Sequence, residues 1–104
     1  MNNDIFLSTL GLAKKANKIC RGFDMCAEAY DSIHCIFLAN DCSERTKRNI
    51  LEIFEKIGTT PTAIPYSKTE LGYALGTKPV GIIGISDEGF AKLLLKKLSK
   101  EVPE

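Results

Sequence analysis

The sequence predicts an α/β domain whose sheet is covered on both faces, and three observations predict it. Two short, unbroken apolar runs, Cys35–Ala39 and Val80–Ile85, read as strands buried on both sides. They alternate with longer stretches whose apolar residues recur at helical spacing. The chain has 104 residues, 44% hydrophobic and 26% charged, which suits one core and one domain over residues 1–104 and is too apolar for disorder.

The segment from Asp4 to Ala16 predicts a helix with Ile5, Leu7, Leu10, Leu12 and Ala13 facing inward, closed by the cations Lys14, Lys15 and Lys18. Ile19–Arg21 is a short strand, Gly22 lets the chain turn, and Asp24 is the expected cap of a second helix reaching to about Asp31. After the central strand Cys35–Ala39, Asp41 with Glu44 three residues on opens a third helix through about Ile57. Its stripe is Ile50, Leu51, Ile53, Phe54 and Ile57, and Gly58 ends it.

Thr62–Pro65 can hold only a short strand, because Pro61 and Pro65 lack backbone donors. Ser67-Lys68-Thr69-Glu70 is a capping box, starting a helix that stops at Gly76. In the strand Val80–Ile85, Gly81 and Gly84 imply close approach of a helix or another backbone. A last helix runs from about Asp87–Glu88 to about Ser99. Phe90, Leu93, Leu94 and Leu98 face inward, and Lys92, Lys96, Lys97 and Lys100 face water. The elements add up to about four strands.

Met1–Asp4 has no basic segment and Ser8-Thr9 interrupts the apolar residues that follow, so no signal peptide is expected. No apolar run is long enough for a bilayer; the expectation is a cytoplasmic protein with no membrane partner. Cys20, Cys26, Cys35 and Cys42 form no C-x-x-C pair and His34 is the sole histidine, so no metal site is expected. The thiols read as buried apolar groups in a reducing compartment, with Cys42 nearest to solvent.

Catalysis is poorly supplied. There is no P-loop, no dinucleotide fingerprint and no nucleophile elbow, and His34 has no evident partner. The expectation is a non-enzyme with no cofactor and no small-molecule substrate. Binding is better supplied, because Lys14, Lys15, Lys18 and Arg21 precede Gly22 and a helix start whose amides can receive a phosphate. The same cations also fit a solvated helix end, and Arg45, Lys47 and Arg48 make a second cluster. With a net charge of +1, any polyanion must be met by a local patch.

Five stretches carry a resemblance. Leu10-Gly11-Leu12-Ala13-Lys14-Lys15-Ala16, then Gly22, then Leu38-Ala39-Asn40-Asp41-Cys42-Ser43, then Leu71-Gly72-Tyr73-Ala74-Leu75-Gly76, then Asp87-Glu88-Gly89-Phe90-Ala91 resemble the kink-turn RNA-binding ribosomal-protein superfamily of L7Ae and L30e. The nearest likeness is to its small bacterial ribosomal-protein-like members of the YlxQ type. The resemblance implies a three-layer α/β/α sandwich with a mixed four-stranded sheet, and a non-catalytic protein of translation that binds kinked or structured RNA.

It places the RNA site at the loop entering the second helix, patterned Gly-x-Asn-Glu-x-x-Lys in the family, and at the loop before the last strand. Those side chains would read guanine edges that regular A-form RNA hides. This chain keeps Gly22 but has Asp24, Met25 and Glu28 at the three recognition positions, losing an amide donor, an acceptor and a cation. Phe23 lies among them. Ser43, Lys68, Thr77, Lys78 and Val80 match positions the family sets near RNA, and Lys15, Lys18 and Arg21 complete the expected site. The alternative is a protein–protein adaptor that keeps the fold and has lost kink-turn recognition through Met25 and Glu28.

Overall fold

In the computed structural model, which describes residues 4–101, Asp4 caps the first helix by accepting the Leu7 amide at 3.0 Å. The elements follow as α1 (Ile5–Lys15), β1 (Ile19–Arg21), α2 (Phe23–Glu28), a 3-10 turn (Tyr30–Ser32), β2 (Cys35–Leu38), α3 (Glu44–Glu55), β3 (Thr62–Ala63), α4 (Lys68–Leu75), β4 (Ile82–Ile85) and α5 (Glu88–Glu101). Of the sequence readings, those on Met1–Asn3 and on the side chains of Ser99 and Lys100 lie outside the described residues.

The sheet order is β1-β4-β2-β3. β4 is antiparallel to both neighbours, its Gly84 facing Cys20 on one side and Ile36 on the other, while β3 pairs parallel with β2. One helical layer packs α1 against α4 and α5, and the other packs α2 against α3. This is the expected three-layer α/β/α sandwich with a mixed four-stranded sheet. β2 and β4 are buried at every position, as strands covered on both faces must be.

The core joins Phe6 and Leu10 of α1 to Ile36, Phe37, Ile83 and Ile85 of the sheet and to Ile50, Phe54, Leu71 and Leu94 of the other helices. Phe6 meets Phe37 edge-on at 5.3 Å and stacks on Tyr66 at 5.5 Å, and the Tyr66 hydroxyl donates to the Asp4 carboxylate.

Several boundaries and faces differ from the sequence reading. α1 buries Phe6, Thr9, Leu10 and Ala13, while Ile5 and Leu12 are exposed. Gly22, at φ 88°, is the N-cap of α2, and Asp24 sits inside the first turn. Ser43 rather than Asp41 caps α3, taking the Thr46 amide at 3.1 Å; Asp41 instead accepts the Lys68 amide at 2.9 Å. Leu51, Ile57 and Leu93 are exposed. Cys42 is buried and donates its thiol hydrogen to the Gly81 carbonyl at 3.0 Å, which leaves Cys20 as the half-exposed cysteine. β4 begins at Ile82, because Gly81 and Val80 are turned to pair with Ala39 and Lys68.

Other signals hold. The capping box at Ser67 and Glu70 is complete, and Asp87 takes the Phe90 amide at 2.9 Å at the start of α5. Gly84 admits the side chains of Ile33 and Cys26. No described helix is long and apolar enough to cross a membrane.

Gly72 in α4 is required by close approach: a Cβ there would stand 2.5 Å from the Lys78 carbonyl oxygen and 2.9 Å from Pro79 Cα, both backbone. Alanine would gain about 1 kcal/mol of helix propensity. The clash with the 77–80 loop outweighs that gain, so Gly72→Ala is expected to lose about 2 kcal/mol net in urea unfolding; an unchanged midpoint would refute this packing.

Burial pushes the Cys26 and Cys35 thiols up from 9.0 to about 12. The folded state therefore holds these two protons to higher pH than the unfolded chain does. Their contribution to stability is full below pH 9 and is expected to be lost progressively as pH rises from 9 toward 12. Replacing both by alanine should flatten that alkaline slope in pH-resolved denaturation.

Candidate nucleic-acid interface

Strand direction builds the site. β1, β2 and β3 all point the same way, since β4 runs against both β1 and β2 and β3 is parallel to β2. Each then hands the chain to a helix at the same edge of the sheet, so α2, α3 and α4 begin there, at Gly22, Ser43 and Ser67. The carboxyl edge of strands is where α/β sheets open toward ligands.

Backbone hydrogen bonds lock the edge. Gly22 donates to the Ile82 carbonyl at 2.8 Å, Ala39 to Gly81 at 2.9 Å, Asn40 to Tyr66 at 2.8 Å and Val80 to Lys68 at 3.1 Å. With Asp41 holding the Lys68 amide, the three strand-to-helix turns and the start of β4 form one stitched surface.

Two open clefts meet on it at Gly22. One, of about 220 Å³, is lined by Gly22, Phe23, Cys42, Ser43, Thr46, Lys68, Gly81 and Ile82. The other, of about 410 Å³, runs along Arg21, Gly22, Thr77, Lys78, Pro79 and Val80. Positive φ at Gly22 turns the chain from β1 into α2 between them.

The edge favours anions. Helices α3 and α4 turn their positive ends toward the first cleft, and Lys68, Arg21 and Lys78 add whole charges. No side chain caps α2. The buried Cys42 thiol on the cleft floor is pushed up by desolvation first of all; its hydrogen bond to Ala39 and the charges of Lys68 and Lys47 pull it down, while Asp41 opposes them. Lys47 is paired with Glu44 at 3.6 Å on the surface, a contact worth little.

Of the residues expected from sequence, Arg21, Gly22, Phe23, Ser43, Lys68, Thr77, Lys78 and Val80 line the two clefts. Asp24, Met25 and Glu28 are exposed on α2, which rises from the junction. Lys15 and Lys18 line neither cleft. The Lys18 carbonyl accepts from Ser86 at the far end of β1, about 13 Å of extended chain from Gly22, and Lys15 lies in a groove between α1 and α4.

Sequence reasoning missed Thr46, Gly81, Ile82 and the Asp41–Lys68 bond as parts of this edge. Thr46 is the third residue after the Ser43 cap, a position that such a cap bonds. The short-range tendency of aspartate to bond turn amides flags Asp41, though not its partner.

Chemically the edge offers amides, hydroxyls and cations. His34 stands at the opposite edge, its amide bonded to Ile85. Among the described residues no group of three metal-ligating side chains occurs.

Comparison with known proteins gives four findings. Among curated proteins, none matches the sequence. A solved protein with unknown function from Bacillus halodurans C superposes with a TM-score of 0.85 at 24% identity, over 93% of this chain and 99% of that one. The Giardia lamblia 15.5kD RNA binding protein superposes with a TM-score of 0.73 at 17% identity, over 90% of this chain and 82% of that one. Both likenesses concern the fold. The family model for the ribosomal protein L7Ae/L30e/S12e/Gadd45 family matches residues 5–95, nearly the whole described chain, and the protein belongs to that family.

Proposed function

We propose that this chain is a non-catalytic RNA-binding protein of the ribosomal type, a single domain that holds structured RNA at the edge where its two clefts meet. The carrying observation is the meeting at Gly22 of two cation-bearing clefts beneath three helix starts, in a member of a ribosomal-protein family. The Giardia neighbour, itself described as RNA binding, supports the reading. So does the balance of charge, since helix ends and a few cations bind phosphate without a basic surface overall.

In this reading Lys68, Ser43 and the first amides of α2 grip one stretch of backbone, while Arg21, Thr77 and Lys78 grip the next. A kinked RNA suits the site, because the bend opens a groove and lets two backbone segments reach two clefts that share a wall. Kinked or otherwise structured RNA, ribosomal RNA included, is the proposed target, with a cytoplasmic setting and a place among the small bacterial YlxQ-type members. Met25 and Glu28 weaken base selectivity, because α2 presents a thioether and a carboxylate where guanine N–H groups and phosphate would want an acceptor and a cation.

In gel-shift titrations over a salt series, Lys68→Ala and Lys78→Ala are each expected to lower affinity about fivefold and to reduce the log–log salt slope by about one. Unchanged binding in both variants would remove the clefts from consideration.

The exposure of Met25, 51%, beside Glu28 also fits an adaptor that has lost RNA recognition. The paired variant Met25→Glu with Glu28→Lys separates the readings. The native chain is expected to bind a kink-turn hairpin and a straight hairpin within about threefold, and the paired variant to prefer the kink-turn by about tenfold. Binding by the variant alone would show that the native chain is not a standard kink-turn reader.

A further inference from the structure

On the face away from the clefts, α1 turns a stripe outward that its own fold leaves uncovered. Ile5 and Leu12 are 51% and 57% exposed, and Tyr73 of α4, at 89%, lines the groove near Asp4, Leu7 and Ser8. Between the helices runs an open groove, about 420 Å³ of it toward the carboxyl end of α1 and about 240 Å³ toward Asp4. Ser8, Gly11 and Ala74 along it are small and leave the groove open.

Its charge is polar along its length. Asp4 stands at one end, and Lys14 and Lys15 stand at the other, about 16 Å away over the 11 residues of α1. A groove charged in this way complements itself when a second copy is turned end for end: each Asp4 then faces the partner's lysines, and the two α1 macrodipoles lie antiparallel.

We propose that this face is the interface of a two-fold symmetric dimer, with α1 packed antiparallel on α1 of a second copy. The small residues let the helix axes approach closely, Ile5 lies against Leu12 across the axis, and each Tyr73 covers the rim of the partner's groove. Aromatic anchors of this kind dominate interface energetics. The surface is separate from the clefts, so the dimer leaves both RNA edges open and presents two of them.

The test is sedimentation equilibrium of the full chain over about a hundredfold range of concentration. A monomer–dimer equilibrium is expected that shifts toward monomer in high salt, and Tyr73→Glu should abolish the dimer while melting as the native chain does at concentrations where that chain is monomeric. A monomer at every concentration would overturn the proposal. So would a dimer that survives both Tyr73→Glu and Leu12→Glu, which would place the contact elsewhere. Register is read by mild oxidation: Ser8→Cys, close to the axis, should crosslink the copies, while Ile5→Cys should not. Equal crosslinking by the two would refute the antiparallel arrangement, and RNA added to the monomeric Tyr73→Glu variant should bind each copy as before.

Discussion

The backward run of β4 through the middle of the sheet is the constraint on which the rest depends. Ile82–Ile85 is antiparallel to Ile19–Arg21 on one side and to Cys35–Leu38 on the other, so those two strands must agree in direction although they never touch. β3 follows β2 in parallel, and three helix starts arrive at one edge. A strand in that place is covered on both faces and bonded along both sides, which is why it is apolar at every position and why Gly84 makes room for Ile33 and Cys26. The start of β4 also closes the edge, since Gly22, Ala39 and Cys42 all bond to the carbonyls of Gly81 and Ile82.

Features written in short-range chemistry were legible. The buried strands announced themselves as unbroken apolar runs, and Ser67 with Glu70 announced a helix start that needs nothing beyond four residues. The face of α1 was not legible, because Ile5, Phe6, Leu7, Leu10, Leu12 and Ala13 supply more apolar residues than one face can bury. The choice was made at a distance, by Phe37 and Tyr66, which receive the Phe6 ring and so turn Ile5 and Leu12 outward. The caps tell the same story. Asp24 and Asp41 are both competent, yet the turn at Gly22 comes before Asp24, and Asp41 is drawn to an amide 27 residues away.

The candidate site divides along the same line. Gly22 was legible as a local turn signal, whereas Ser43, Lys68 and Lys78 entered through the family resemblance, and the structure brings all four to the two clefts. That Lys15 and Lys18 part from Arg21 depends on the length of β1 and on the crossing of α1 over α4, neither of which a count of nearby cations contains. Cys42 follows suit: the end of a strand suggests solvent, but the carbonyl of Gly81 closes over it. Its burial removes a thiol from the cleft surface and leaves the hydroxyls and cations of Ser43, Thr46 and Lys68 to define the chemistry there.

The acids explain how a chain of net charge +1 can present Arg21, Lys68 and Lys78 at one edge. Asp4, Asp41, Glu70 and Asp87 each accept a backbone amide at a helix start, where a carboxylate opposes the positive end of the macrodipole and stabilises the turn. Each carboxylate is held in place by the amide it accepts. Asp24 and Glu28 have no such duty, because α2 has no side-chain cap and its first helical residues follow a glycine. They are therefore the acids of this edge that can change without loosening a helix start, and they sit on the shortest α-helix, beside the junction of the clefts. In the proposed reading the stitched turns hold backbone phosphate, and preference among RNA shapes falls to α2, whose Asp24, Met25 and Glu28 are exposed.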